Sequence, residues 1–166
     1  MARQLWVLRH ADAEPHGTRA DSARRLTSRG EAQARAAGVA LTRLQARFDA
    51  VLFSPKTRAR QTAELVAEAW SEPERGVLCE YAPLAASFDA AQALDALAGH
   101  DADAHVLLVG HEPDLSGVVA ELTGGRVEVK KGGLAVVRLE GVGGELAVVL
   151  RPRELALIAG IPGDGH

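Results

Sequence analysis

Three short runs of this chain are apolar at every position: Leu5-Trp6-Val7-Leu8, Val51-Leu52-Phe53 and Val106-Leu107-Leu108-Val109. A strand that alternates apolar and polar side chains has one wet face, whereas a strand that is apolar throughout is covered on both. Each run is followed, directly or after a loop, by a segment with helical spacing. Parallel strands need a crossover of a dozen or more residues, and helices supply it while covering the sheet. The pattern predicts an α/β protein: a single-domain three-layer α/β/α sandwich on a mostly parallel sheet.

The remaining elements follow from local signals. Ser28-Arg29-Gly30-Glu31 has the spacing of a capping box and predicts a helix over 28–45, with Ala32, Ala36, Val39, Ala40 and Leu44 as its inner face. Pro55, favoured in a first turn, predicts a helix reaching Trp70, which Pro73 and Gly76 end. A short third strand is expected over 76–81, a helix over 88–98 closed by Gly99, and a helix over 114–122 stopped by Gly124-Gly125. Runs at 134–139 and 145–150 around Gly141 to Gly144 read as a hairpin, an antiparallel element at the C-terminal end of the sheet. The chain has 166 residues, enough for one sizeable core. The expected organisation is one domain over 1–159 and a flexible Gly-rich tail over 160–166.

Composition removes several function classes. Hydrophobic residues at 47% and charged residues at 25% describe a globular chain, not a disordered one. The formal net charge of −3 gives no support to a nucleic-acid partner. There is no apolar stretch of about 18 residues and no leader pattern, so no membrane partner is expected and the cytoplasm is the default location. Cys79, the lone cysteine, is expected to be a small core residue. The histidines are scattered without metal-ligand spacing, so neither a metal nor another cofactor is expected.

Ligands in open α/β sheets bind outside the carboxyl ends of the strands. Three strand ends here each deliver cations or histidines: Arg9-His10, then Ser54-Pro55-Lys56-Thr57-Arg58, then Gly110-His111. Two Arg and two His around a small volume favour a phosphoryl group. Neutral imidazole has a free lone pair and a pKa near 6.5, so His10 can attack phosphorus. Arg9 and Arg58 offer planar paired donors to the phosphoryl oxygens, and His111 can serve another. Ser54 and Thr62 are expected to support the pocket, and Arg60 to face solvent. Lys130 and Lys131 read as an exposed strand edge, with recognition of an acidic substrate surface as the alternative.

The whole constellation resembles the histidine phosphatase superfamily, the phosphoglycerate-mutase-like fold. The family's Arg-His-Gly signature stands here as Arg9-His10-Ala11, and Ser-Pro-x-x-Arg-Ala-x-Gln-Thr matches Ser54, Pro55, Arg58, Ala59, Gln61 and Thr62. The late Gly-His pair matches Gly110-His111. More narrowly, the chain is similar to the SixA-type phosphohistidine phosphatases. It is short, and it has Arg9-His10-Ala11-Asp12-Ala13, Arg25-Leu26-Thr27-Ser28-Arg29-Gly30, Val109-Gly110-His111-Glu112-Pro113 and Lys130-Lys131-Gly132-Gly133-Leu134-Ala135. The resemblance implies that His10 is the nucleophile and becomes phosphorylated, with Arg9, Arg58 and His111 completing the phosphate pocket. It also implies an exposed, shallow site that admits a phosphorylated side chain of another protein.

Larger relatives protonate the leaving oxygen with a carboxylic acid. By position the candidate here is Glu80, after the third strand, with Asp12 as second candidate. An alkoxide leaving group needs that proton far more than an imidazole does, so a missing acid favours a P–N substrate. The expectation is a metal-independent phosphatase acting on phosphohistidine in a protein. The alternatives are a phosphatase of a small phosphorylated metabolite and a non-catalytic phosphate-binding protein. Ala11 stands where glycine is usual, and a positive φ there would strain it.

Overall fold

Strand alternation sorts the apolar residues into two cores, one on each face of a six-stranded sheet. The computed structural model describes residues 2–161. The strands are β1 (Arg3–Arg9), β2 (Ala50–Phe53), β3 (Leu78–Glu80), β4 (His105–Gly110), β5 (Leu134–Glu140) and β6 (Gly143–Leu150). Their order in the sheet is β3-β2-β4-β1-β5-β6. The first four run parallel, and β5 and β6 are antiparallel. The helices are α1 (Ser28–Arg43), α2 (Thr57–Ala67), α3 (Glu72–Arg75), α4 (Ala90–Ala98), α5 (Asp114–Thr123) and α6 (Pro152–Ile158). Leu8, Val51, Phe53, Leu107, Val109, Leu134 and Val136 point to one face and pack with α1, α2 and α6. Leu5, Val7, Leu52, Val106, Leu108, Ala135 and Val137 point to the other and pack with α4 and α5. This is the three-layer α/β/α sandwich that the apolar runs predict, with the antiparallel hairpin on one edge.

Several local expectations shift. The α1 cap is Thr27, one residue before the expected box, and its hydroxyl accepts from the Gly30 N–H at 3.0 Å. That hydroxyl also bonds the Asp12 carboxylate at 2.7 Å, which fixes Thr27 rather than Ser28 at the helix entrance. Pro55 lies outside α2, whose N-cap is Lys56, because the chain runs extended through Lys56. Beyond α2, residues 72–75 form the short α3 where only a helix exit was expected. Cys79 is exposed, not core: β3 is a three-residue edge strand, and only its Leu78 turns toward a core. Lys130 and Lys131 sit in a turn before β5, not on a strand edge. The helix α6 was not anticipated at all. It continues into hydrogen bonds from Gly160 N–H to Leu157 C=O and Ile161 N–H to Ala156 C=O, at 3.1 and 2.9 Å. The rest of the expected flexible tail, 162–166, lies outside the described residues. Among those residues no helix is long and apolar enough to cross a membrane.

Two glycines set how closely the layers approach the site. Gly30 in the first turn of α1 lies against the Asp12 carbonyl, and Gly38 in the same helix lies against the Val66 carbonyl of α2. A Cβ at either position would run into rigid backbone. Replacing a mid-helix Gly by Ala ordinarily stabilises by about 1 kcal/mol. Gly38→Ala should instead destabilise by about 2 kcal/mol, because parting two packed helices costs more than the propensity returns. A denaturant titration reads this as a lowered midpoint, and a raised midpoint would mean that the α1–α2 spacing is slack.

Candidate active site

The register brings three strand ends into one row. Leu8 pairs with Val109, and Val109 with Phe53, so the residues that follow β1, β4 and β2 leave the sheet side by side. Backbone bonds carry this past the strands: His10 N–H donates to Gly110 C=O, and Ser54 N–H to Val109 C=O, both at 3.0 Å. His10, His111 and Arg58 end up beneath the surface, at 6%, 8% and 4% exposure. The two imidazole rings lie 5.3 Å apart between centroids, tilted by 52°.

Each ring's tautomer follows from its partner. His10 Nδ1 sits 2.8 Å from the Ala11 carbonyl, which can only accept, so Nδ1 carries the proton and Nε2 keeps its lone pair. His111 Nε2 lies 2.8 Å from the Ser54 hydroxyl, which already accepts the Lys56 N–H at 3.2 Å. Ser54 is fully buried, so its own O–H needs an acceptor, and His111 Nε2 is the one within reach. His111 therefore holds its proton on Nδ1.

Both rings are held neutral. Burial, with the Arg58, Arg9 and Lys131 cations nearby, lowers the His10 pKa from 6.5 to about 4, against the opposing pull of the Ala11 carbonyl. Burial, then His10, Arg58 and Lys56, lowers His111 to about 3. Burial also lowers both Arg9 and Arg58 from the ordinary guanidinium value.

Among the described residues, the buried side-chain nitrogens without a hydrogen-bond partner are Arg9 Nε, Arg58 Nε and His111 Nδ1. Buried polar groups are almost always paired. Three orphaned N–H donors beside one neutral imidazole have the chemistry to accept an oxyanion. The rest of each arginine is tethered: Arg9 donates to Val129 C=O at 3.2 Å, and Arg58 donates to Asp21 C=O at 2.7 Å.

No sequence signal pointed to Asp21, which stands in a 3-10 turn over Asp21–Ala23. Its carboxylate meets Arg58 at 3.4 Å, Lys56 at 3.1 Å and Arg24 at 3.1 Å. Burial works against its charge, but the bonds from Lys56 and Arg24 and the Arg58 charge hold it well below the usual carboxylate range. The loop ahead of α1 is thereby pinned over Arg58. Gln61 pins it again, accepting the Leu26 N–H at 2.8 Å, and Thr62 accepts the Ala11 N–H at 3.1 Å while donating to Arg58 C=O at 2.7 Å. Ala11 is buried and does not have a positive φ, so the missing glycine brings no strain.

The two candidate acids are placed otherwise. Glu80 ends β3 on the edge of the sheet, with β2 and β4 between it and β1, about 14 Å at ordinary strand spacing. Its carboxylate lies on Arg60 at 3.1 Å, and both side chains are exposed. The structure does not bring Glu80 together with His10, Arg9, Arg58 and His111. Asp12 follows β1 closely, yet its carboxylate accepts from Thr27 and approaches Lys131 at 3.8 Å.

Comparison with known proteins agrees with this architecture. Residues 5–76 match the histidine phosphatase superfamily, branch 1. An uncharacterized protein of Picosynechococcus sp. is 34% identical over 143 residues, covering 81% of this chain and 84% of that protein. The protein histidine phosphatase SixA, solved in complex with tungstate, superposes with a TM-score of 0.80 at 28% identity, over 92% of this chain and 99% of that one. The alpha-ribazole phosphatase of Shigella flexneri has the same fold, with a TM-score of 0.65 at 20% identity, over 90% and 96% of the two chains. The chain belongs to the histidine phosphatase superfamily and is a phosphatase of SixA type.

Proposed function

We propose that the protein removes phosphate from phosphohistidine in a protein, through a transient phosphohistidine of its own at His10 and without calling on a metal. The observation that carries this reading is the set of three unpartnered buried N–H donors around a neutral imidazole whose Nε2 lone pair is free. Tungstate, the oxyanion in the SixA complex, has the tetrahedral shape of phosphate.

The chemistry follows from the hydrogen bonds. His10 Nε2 attacks phosphorus as the substrate's N–P bond breaks, and the bonding pair stays on the substrate nitrogen. The substrate ring, protonated on its other nitrogen, leaves as neutral imidazole. The Ala11 carbonyl holds the Nδ1 proton as the His10 ring turns cationic, while Arg9, Arg58 and His111 Nδ1–H bind the three phosphoryl oxygens. Water then attacks phosphorus, the pair returns to Nε2, and inorganic phosphate leaves.

A leaving imidazole, with a pKa near 6.5, needs no carboxylic acid, whereas an alkoxide does. Among the described residues neither active-site ring bonds a carboxylate, and Glu80 is engaged by Arg60 at the sheet edge. Both facts favour a P–N bond over an alkyl phosphate. The test is phosphate release from a phosphohistidine protein beside p-nitrophenyl phosphate, with no metal added. Preferential turnover of the protein supports the reading. Turnover of the aryl ester alone keeps His10 as nucleophile but moves the substrate to small molecules, and binding without release makes the chain a phosphate-site binder.

The histidine environment gives a direct measurement. In a pH titration followed by NMR, His10 should remain the Nδ1–H tautomer at pH 7 and gain its second proton near pH 4, not 6.5. An unfolded histidine takes up that proton near pH 6.5, so the unfolded state binds more protons between the two values. Stability is therefore full above about pH 6.5 and falls progressively toward pH 4, by about 3 kcal/mol for His10 alone. A His10 midpoint between 6 and 7 would contradict the buried, cation-flanked geometry.

A further inference from the structure

Beside the phosphoryl site lies a cavity of about 460 Å³ whose wall holds far more positive charge than one phosphate requires. Arg9, Arg29, Lys130, Lys131, Arg151 and Arg153 line it, and Asp12 is the one acidic residue among them. The chain as a whole has 19 basic and 22 acidic residues, so this wall is a local reversal of its charge balance. Four separate segments build it: the end of β1 with the residues that follow it, the N-terminal part of α1, the turn before β5, and the entrance of α6.

The cations differ in how they are engaged. Lys130 pairs with Glu128 and Arg151 with Glu154, each at 2.8 Å, while Lys131 only approaches Asp12 at 3.8 Å. Arg29 and Arg153 have no side-chain hydrogen bond or ion pair among the described residues, and both are exposed. Each is the second residue of its helix, where the macrodipole disfavours a cation. Neither is placed for the benefit of its own helix. Arg9 belongs to both places: it lines this cavity, and its buried Nε is one of the orphaned donors of the phosphoryl site. The turn holding the lysines is fastened to the same spot, with Gly132 N–H donating to His10 C=O at 3.0 Å and Arg9 N–H to Gly133 C=O at 3.1 Å.

We propose that this cavity is a docking subsite for the carboxylate side chains of an acidic segment that flanks the phosphohistidine of a protein substrate. The proposal rests on the phosphohistidine reading above. A second phosphate would call for donors converging on one point. Here six long side chains are spread around an open hollow, an arrangement that suits several carboxylates distributed along a peptide. Rim charges of this kind act on encounter and register, and salt screens them.

The test compares two phosphohistidine peptides of equal length, one with Asp and Glu around the phosphohistidine and one with Ser, together with free phosphohistidine. The proteins are wild type and the double variant Arg29→Glu/Arg153→Glu, which places anions where both helices favour them. Wild type should prefer the acidic peptide by about tenfold in kcat/KM at low salt. That preference should vanish in the variant and at high salt, while free phosphohistidine is turned over equally by both proteins. An unphosphorylated acidic peptide should also inhibit p-nitrophenyl phosphate turnover by wild type and not by the variant, a result independent of the true phosphoryl donor. Equal turnover of the two peptides by wild type would overturn the subsite and leave the phosphohistidine reading intact. Turnover of the aryl ester but of no phosphohistidine compound would overturn the reading, and this proposal with it.

Discussion

His10→Ala is expected to release no measurable phosphate from any substrate, a loss of about 10⁴-fold or more in kcat. The size follows from what is removed. In the proposed reaction the arginines and His111 hold charge that is present to some degree in both ground and transition states, whereas the Nε2 lone pair forms the new bond. Among the described residues no second neutral imidazole can stand in: His111 directs Nε2 at Ser54, and its Nδ1 carries the proton. The phosphoenzyme should vanish together with turnover, which intact-mass measurement after an alkaline quench detects, since phosphohistidine survives base. The fold should persist. His10 contributes one side-chain bond, to its neighbour's carbonyl, and its burial opposes protonation rather than stabilising an ion pair. A melting curve within a few degrees of wild type separates loss of chemistry from loss of structure. A variant that kept about a tenth of wild-type activity would mean that another group attacks phosphorus.

What the sequence reveals of this site is what is local along the chain. The apolar runs name the central strands because burial on both faces leaves no polar position in them. Each strand end then carries its cation or histidine within two to five residues, so Arg9, His10, Arg58 and His111 can be read before the fold is known. Glu80 shows where this stops. It also stands at a strand end, but the strand order puts β3 at the edge, and no local signal encodes strand order. Asp21 was illegible for the opposite reason: nothing in a polar loop says that one of its carboxylates will close over Arg58. The cationic cavity is less legible still. Arg29 and Arg153 stand far apart in sequence and meet only because α6, itself unanticipated, packs with α1. A seven-residue helix with a single fully buried residue, Leu155, shows too little periodicity to be recognised from sequence.

Arg58→Ala should lower kcat/KM by about 10² to 10³-fold, the usual loss of one preorganised donor to a transition-state oxyanion. Its guanidinium is buried and its Nε has no partner among the described residues, so the phosphoryl group would be its missing acceptor. Arg58→Lys should recover little. An ammonium restores the charge, but not the planar fork that bonds Asp21 through its terminal nitrogens while leaving Nε without a partner among the described residues. The loop over the site should stay in place, because Asp21 keeps Lys56 and Arg24, and Gln61 still holds Leu26. The variant thus removes a donor more than it removes an architecture. Phosphate and tungstate inhibition should weaken alongside turnover, since both present tetrahedral oxygens to the same donors. If Arg58→Ala lowered the melting temperature while leaving oxyanion inhibition unchanged, Arg58 would be a brace for the loop and the oxyanion site would have to be built from Arg9 and His111 alone.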